Sequence, residues 1–257
     1  MTATPLERPF DPRRQLRAVG RMLADLVHPP SCIVCRAATA EPHALCGACW
    51  RSMPFIERPY CERLGTPMSV AFSAGPLLSP AAVAEPPPFA RARAAVRYEG
   101  PARELVHGLK YKDGLRLVPA MASWMERAGA ELLADADVIL PVPMHRFRFW
   151  MRRFNQAGAL ASAIGARAGV PVGTDLLRRI RATSPQPGLT RKERSDNLRN
   201  AFAVDAAAKD RLEGKRVLLV DDVQTTGATA GACARALRKA GVQEVDLLVF
   251  ACVVPPT

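Results

Sequence analysis

The stretch VLLVDDVQTTGAT, residues 217–229, constrains the fold of this chain more than any other segment. Its first four residues are apolar and β-prone, as in a strand buried on both faces. A loop of threonine and glycine follows, and residues 228–240 then read as a helix. Strand, tight loop and helix in that order belong to α/β architecture, where the helix packs back on a parallel sheet. The loop chemistry points to an anion, because amide N–H groups and the helix dipole converge at the helix start. Thr225, Thr226 and Thr229 add hydroxyl donors, while Gly227 and Ala228 leave room for a close backbone approach. Asp221 and Asp222 fall at the carboxyl edge of the strand, where open α/β sheets bind ligands. Carboxylates there repel phosphate but accept hydrogen bonds from vicinal hydroxyls. Ribose 5-phosphate satisfies both halves. The motif is neither G-x4-G-K-[ST] nor G-x-G-x-x-G.

The C-terminal two thirds continue the same texture. Strands are expected at 89–98, 137–142, 216–220 and 245–253, with helices at 101–110, 115–133, 156–168 and 228–240. Residues 183–200 are polar, basic and aperiodic, so they read as a long loop of the kind that serves as a lid. Upstream, Leu16, Val19, Leu23 and Val27 mark an amphipathic helix that Pro29 and Pro30 end. Residues 69–88 carry little charge and three consecutive prolines, which reads as a linker or irregular arm. No internal repeat is visible. The expected organisation is an N-terminal helix (1–30), a cysteine-rich module (31–68), a Pro-rich linker (69–88) and an α/β domain (89–257).

The cysteine-rich module has the spacing C-x2-C-x10-C-x2-C through Cys32, Cys35, Cys46 and Cys49. Each pair places two thiolates at the tip of a turn, and two such knuckles supply a tetrahedral sulfur set for Zn2+. A closed four-cysteine site has no open coordination position, so its expected role is structural. His43 stands between the pairs as an alternative ligand or an exposed residue. Cys61 is a further ligand or a lone thiol, since Leu64 occupies the place a C-x2-C partner would take. Cys233 and Cys252 read as small buried apolar residues.

The net charge of +12 favours an acidic ligand or partner, and arginine-rich composition accounts for part of it. Residues 141–200 hold 12 Lys and Arg against Asp175, Glu193 and Asp196, a local net of +9. The first fifteen residues lack an apolar core, and no run of about 18 apolar residues occurs anywhere. The chain is therefore expected to be cytoplasmic and to lack a membrane span.

Residues 217–229 resemble the phosphoribosyl pyrophosphate (PRPP) signature of type I phosphoribosyltransferases at almost every position. An ordered set of further motifs resembles the ComF family: YEG and LKY (98–100, 109–111), PVPMH (141–145), RRFNQ (152–156), T-x2-Q-x2-L from Thr183, and R-x2-N at Arg194 and Asn197. The resemblance spans roughly residues 23–253. It implies a type I phosphoribosyltransferase fold, a parallel sheet flanked by helices, behind a small N-terminal zinc ribbon. By similarity Asp221 and Asp222 hold the ribose hydroxyls of PRPP, and Thr225, Thr226, Gly227, Ala228 and Thr229 bind its 5-phosphate. Arg152 and Arg153 fall where such folds bind pyrophosphate, with Lys110 nearby; Arg153 stands where the family has glycine. Gln186, Arg194 and Asn197 belong to the lid. Mg2+ is implied together with PRPP.

Two functions follow from the resemblance, which carries a link to competence and DNA uptake. One is a phosphoribosyltransferase acting on PRPP or a related sugar phosphate and an unidentified acceptor, with Glu193 as a weak general-base candidate. The other is a non-catalytic accessory protein that meets single-stranded DNA or a competence helicase. Phe147, Phe149, Trp150 and Phe154 among arginines suit base stacking or packing under the sheet equally.

Overall fold

A computed structural model describes residues 29–69, 76–111, 114–144, 155–181, 198 and 200–254. The expected helix before residue 29, Arg152 and Arg153, and Gln186, Arg194 and Asn197 lie outside the described residues. Glu193 and the 147–154 aromatics do so too. The chain divides into two compact units, Met1–Trp50 and Arg51–Thr257.

In the first unit, Ser31 and Ala38 form an antiparallel bridge. The Cys32 N–H donates to Ala37 O at 2.7 Å, and the Arg36 N–H donates to Cys32 O at 3.0 Å. These bonds close the first knuckle. The second pair of cysteines opens the short helix α1 (Gly47–Ser52).

The second unit is built on four parallel strands. They are β1 (Ala92–Arg97), β2 (Val138–Pro141), β5 (Arg216–Gln224) and β6 (Glu244–Cys252), in the order β1-β6-β5-β2. Alternation along β5 and β6 sends Val217, Leu219, Val245, Leu247 and Val249 to one core. That core is completed by the short helix α7 (Lys209–Leu212), by helix α8 (Ala228–Lys239) and by a hairpin of β3 (Leu177–Arg179) and β4 (Phe202–Val204). Against the other face, α4 (Val118–Ala128) meets β1 and β6 while α6 (Gln156–Ala168) meets β2 and β5. Trp124 of α4 packs there on Phe250 at 6.1 Å between ring centres.

Several sequence expectations change at this level. The helix expected over 115–133 is broken into α4 and α5 (Ala130–Asp135) at Gly129. A Cβ on Gly129 would lie 2.7 Å from Leu248 Cδ1, so the sheet approaches the chain too closely for a side chain. Part of the expected linker forms a helix, α2 (Pro80–Ala84), with Pro80 in its first turn and Ser79 capping the Ala82 N–H. The strand expected at 89–98 alternates arginine with alanine, yet Arg93 is only 2% exposed. Its guanidinium pairs with Glu62 and Glu131 and donates to Glu62 O at 2.8 Å. The chain before it covers the edge of β1, with Phe55 bridging Val96 and the Arg97 N–H donating to Pro54 O at 2.8 Å. Among the described residues no helix is long and apolar enough to cross a membrane.

Candidate functional site

β5 runs to Gln224, four residues beyond the expected end, so both aspartates lie in extended backbone. Asp221 is still in register with Val249, and Gln224 with Cys252. On the opposite side, β2 stops at Pro141 beside Val220. The chain leaves β2 through α6 toward Val172, which bridges the outer edge at Ile139. From β5 it leaves through α8 in the other direction, toward β6. The two crossovers diverge, which makes the carboxyl ends of β2 and β5 the switch point, the crevice position where open α/β sheets take ligands.

Period-two alternation turns Asp221 toward α8 and Asp222 toward the other face. Asp221 is partly exposed at its surface but protein surrounds its carboxyl. Burial first, and then the Asp222 charge, hold its pKa well above the ordinary carboxylate value. The Asp222 N–H donates to Asp221 Oδ1 at 2.8 Å. Asp222 Oδ2 receives Lys110 Nζ at 2.8 Å. Lys110 ends α3 (Gly100–Tyr111), so the sequence placed it near the site and the fold puts it on a carboxylate.

Residues 225–227 form the bend after β5, and Gly227 caps α8 with φ +72°. A Cβ there would lie 3.3 Å from Gln224 Nε2, and the backbone conformation itself disfavours any other residue. No side chain caps this helix and its first turn carries no acid, so its leading amides face the loop. Among the described residues, buried Gln224 Oε1 at the base of the loop, and Asn155 Oδ1 and Gln156 Nε2 at the start of α6, have no hydrogen-bond partner. Orphaned polar atoms are costly in a closed interior but natural where a polar ligand completes them. Gln156 was visible only as part of RRFNQ, and Gln224 carried no signal beyond its neighbours.

The metal candidate belongs to the first unit. The Sγ atoms of Cys32, Cys35, Cys46 and Cys49 all lie within 4.8 Å of one another, Cys35 and Cys46 at 3.5 Å. Burial opposes ionisation of Cys32, but backbone hydrogen bonds from Cys46, Cys35 and Val34 outweigh it and bring the thiol down to about 6. Burial, reinforced by the neighbouring thiols, pushes Cys49 up to about 12. The set fits a structural zinc, whose binding displaces the remaining thiol protons. His43 is exposed and outside the cluster. Cys61, Cys233 and Cys252 are buried and belong to the second unit.

The sheet order, the acidic pair with its Thr-Gly loop and the four-thiol cluster define a phosphoribosyltransferase-like protein that carries a zinc ribbon. Residues 160–253 match the phosphoribosyl transferase domain and residues 23–80 the double zinc ribbon domain. Over 231 residues the chain is 30% identical to Competence protein F of Haemophilus influenzae, covering 84% of this chain and 94% of that one. It is 27% identical to the DNA utilization protein YhgH of Escherichia coli, covering 86% and 96%. Competence protein ComFC of Bacillus subtilis is 25% identical over 150 residues, 58% of each chain. The chain belongs to the ComF family.

Proposed function

We propose that this protein binds PRPP, or ribose 5-phosphate as its core, in the crevice between β2 and β5. The observation that supports this is the convergence of two carboxylates, an uncapped helix start and unpartnered buried polar atoms on one sheet edge. Asp221 and Asp222 take the ribose hydroxyls, and residues 225–229 take the 5-phosphate through amides and threonine hydroxyls. Lys110 holds Asp222 until the hydroxyls engage that carboxylate, and its ammonium then faces the pyrophosphate. Arg152 and Arg153, in the chain after β2, complete the pyrophosphate grip with bidentate guanidinium contacts. By the family resemblance the loop 183–200, with Gln186, Arg194 and Asn197, would serve as the lid, and Leu198 near its end is anchored in the core.

Mg2+ bound with PRPP would supply charge neutralisation at the pyrophosphate, and Asp221 and Asp222 are the residues that would hold it together with the ligand. With these groups the chain orients C1 of the ribose and excludes water from it, which permits transfer to an acceptor as pyrophosphate departs with the bonding pair. The names of the relatives, a competence protein and a DNA utilization protein, support a role for this binding in the handling of DNA. A second reading, a basic surface for single-stranded DNA, rests on the +9 balance of residues 141–200.

The test is a thermal-shift titration with PRPP and Mg2+ beside ribose 5-phosphate and inorganic pyrophosphate. A ligand at about 100 times its Kd adds about 2.7 kcal/mol to stability, so PRPP should raise Tm by several degrees. No shift with any of the three would sink the proposal. A parallel single-stranded DNA titration between 50 and 200 mM salt should lose affinity steeply if the basic segment is a DNA surface.

A further inference from the structure

The double zinc ribbon match implies two metal ions, and the second ribbon cannot hold one. Its backbone repeats the first knuckle bond for bond. The Tyr60–Pro67 bridge answers Ser31–Ala38. The Cys61 N–H donates to Thr66 O at 2.8 Å as Cys32 does to Ala37 O, and the Gly65 N–H to Cys61 O at 2.7 Å as Arg36 does to Cys32 O. The Met68 N–H donates to Pro59 O as Thr39 does to Pro30 O, and the Glu62 N–H to Leu77 O as Ile33 does to Ala44 O. Even the positive φ recurs, 67° at Arg36 and 68° at Gly65. Helix α2 stands where α1 stands, the Val83 N–H donating to Ser79 O as Trp50 does to Cys46 O. This register pairs Cys32, Cys35, Cys46 and Cys49 with Cys61, Leu64, Ser79 and Ala82. One thiol, one hydroxyl and two hydrocarbon groups are no zinc site.

Other contacts take over the metal's role. Cys61 is fully buried, and its Sγ accepts the Ser79 N–H at 3.2 Å, joining the two halves that zinc would join. Leu64 packs against the main core, and Ala82 is 1% exposed. A Cβ on Gly65 would lie 2.5 Å from Ala92 O, a seat on β1 that only glycine fits. Arg93 rises from β1 to Glu62, with its guanidinium 4.6 Å from the Tyr60 ring centre. We infer that this chain carries one zinc, and that its second ribbon is a metal-free mount locked to the sheet through Arg93 and Gly65. Zinc loss then releases only the first ribbon, while the second ribbon and the crevice stay folded.

Metal analysis of the full chain, purified with excess zinc and desalted, should give one ion per chain. Two ions would overturn the inference. Cys61→Ser should keep that single ion, and its loss would contradict the assignment. Hydrogen exchange before and after chelation supplies a readout independent of any variant. Protection should vanish across 31–49 and persist across 58–68, and loss in both would refute the mount. A Leu64→Cys/Ser79→Cys/Ala82→Cys variant that stays folded should take up a second ion, and one that does not would refute the equivalence of the two ribbons.

Discussion

Lys110→Met keeps the aliphatic stem and deletes the ammonium that lies 2.8 Å from Asp222 Oδ2. Coulomb attraction at that separation is about 6 kcal/mol for an effective dielectric near 20. Both groups keep some water, with side-chain exposures of 22% and 14%. The net loss therefore falls between about 0–1 kcal/mol for an exposed pair and about 3–5 for a broken buried one, so we expect about 1–3 kcal/mol. Its pH dependence is more diagnostic than its size. Asp221 has a raised pKa, from burial first and Asp222 second, and Lys110 opposes that rise. A carboxyl with a raised folded-state pKa contributes stability at acid pH, and this contribution is lost as pH rises through that value. Removing Lys110 raises Asp221 further, so the variant should suffer most at neutral pH and recover in acid. Urea unfolding of the zinc-saturated chain, followed by circular dichroism at pH 7.5 and 5, measures both. A loss of 2 kcal/mol moves the midpoint by about 1 M for m near 2 kcal/mol/M. An unchanged midpoint at both pH values, or a deficit that grows in acid, would refute the coupling.

Two further substitutions separate the crevice from the scaffold. Gly227→Ala forces a side chain into φ +72° beside Gln224, so it should cost about 1 kcal/mol or more of stability and weaken ribose 5-phosphate binding at least tenfold by calorimetry. Asp246→Asn breaks the ion pair of buried Asp246 with the half-buried Arg91, 2.6 Å away at the opposite end of the sheet. It should lower thermal stability by about 2–4 kcal/mol and leave ligand affinity within twofold of wild type.

The crevice was legible because its chemistry is local. Strand, acid pair, loop and helix start are contiguous, and each residue type has a reason that does not depend on distant partners. The zinc cluster was legible for the same reason, through thiol spacing. The second ribbon was not, because Leu64, Ser79 and Ala82 erase the spacing while hydrogen bonds between backbone groups preserve the shape. Arg93 is buried for a tertiary reason that alternation does not carry: the mount with Tyr60 and Glu62 covers its face of the strand. The hairpin of Leu177–Arg179 and Phe202–Val204 has three-residue strands, too short for a period to emerge. The extension of β5 through the aspartates comes from pairing with β6, which no local propensity encodes.

The proposed grip for a ribose phosphate consists of Asp221, Asp222 and the loop after them. Isothermal calorimetry with PRPP and Mg2+ on wild type and on Asp221→Asn/Asp222→Asn tests it most directly. The expected result is one site per wild-type chain and at least a tenfold loss of affinity in the double variant, with the fold retained by circular dichroism. No heat from wild type, or equal affinity in a folded variant, would contradict it.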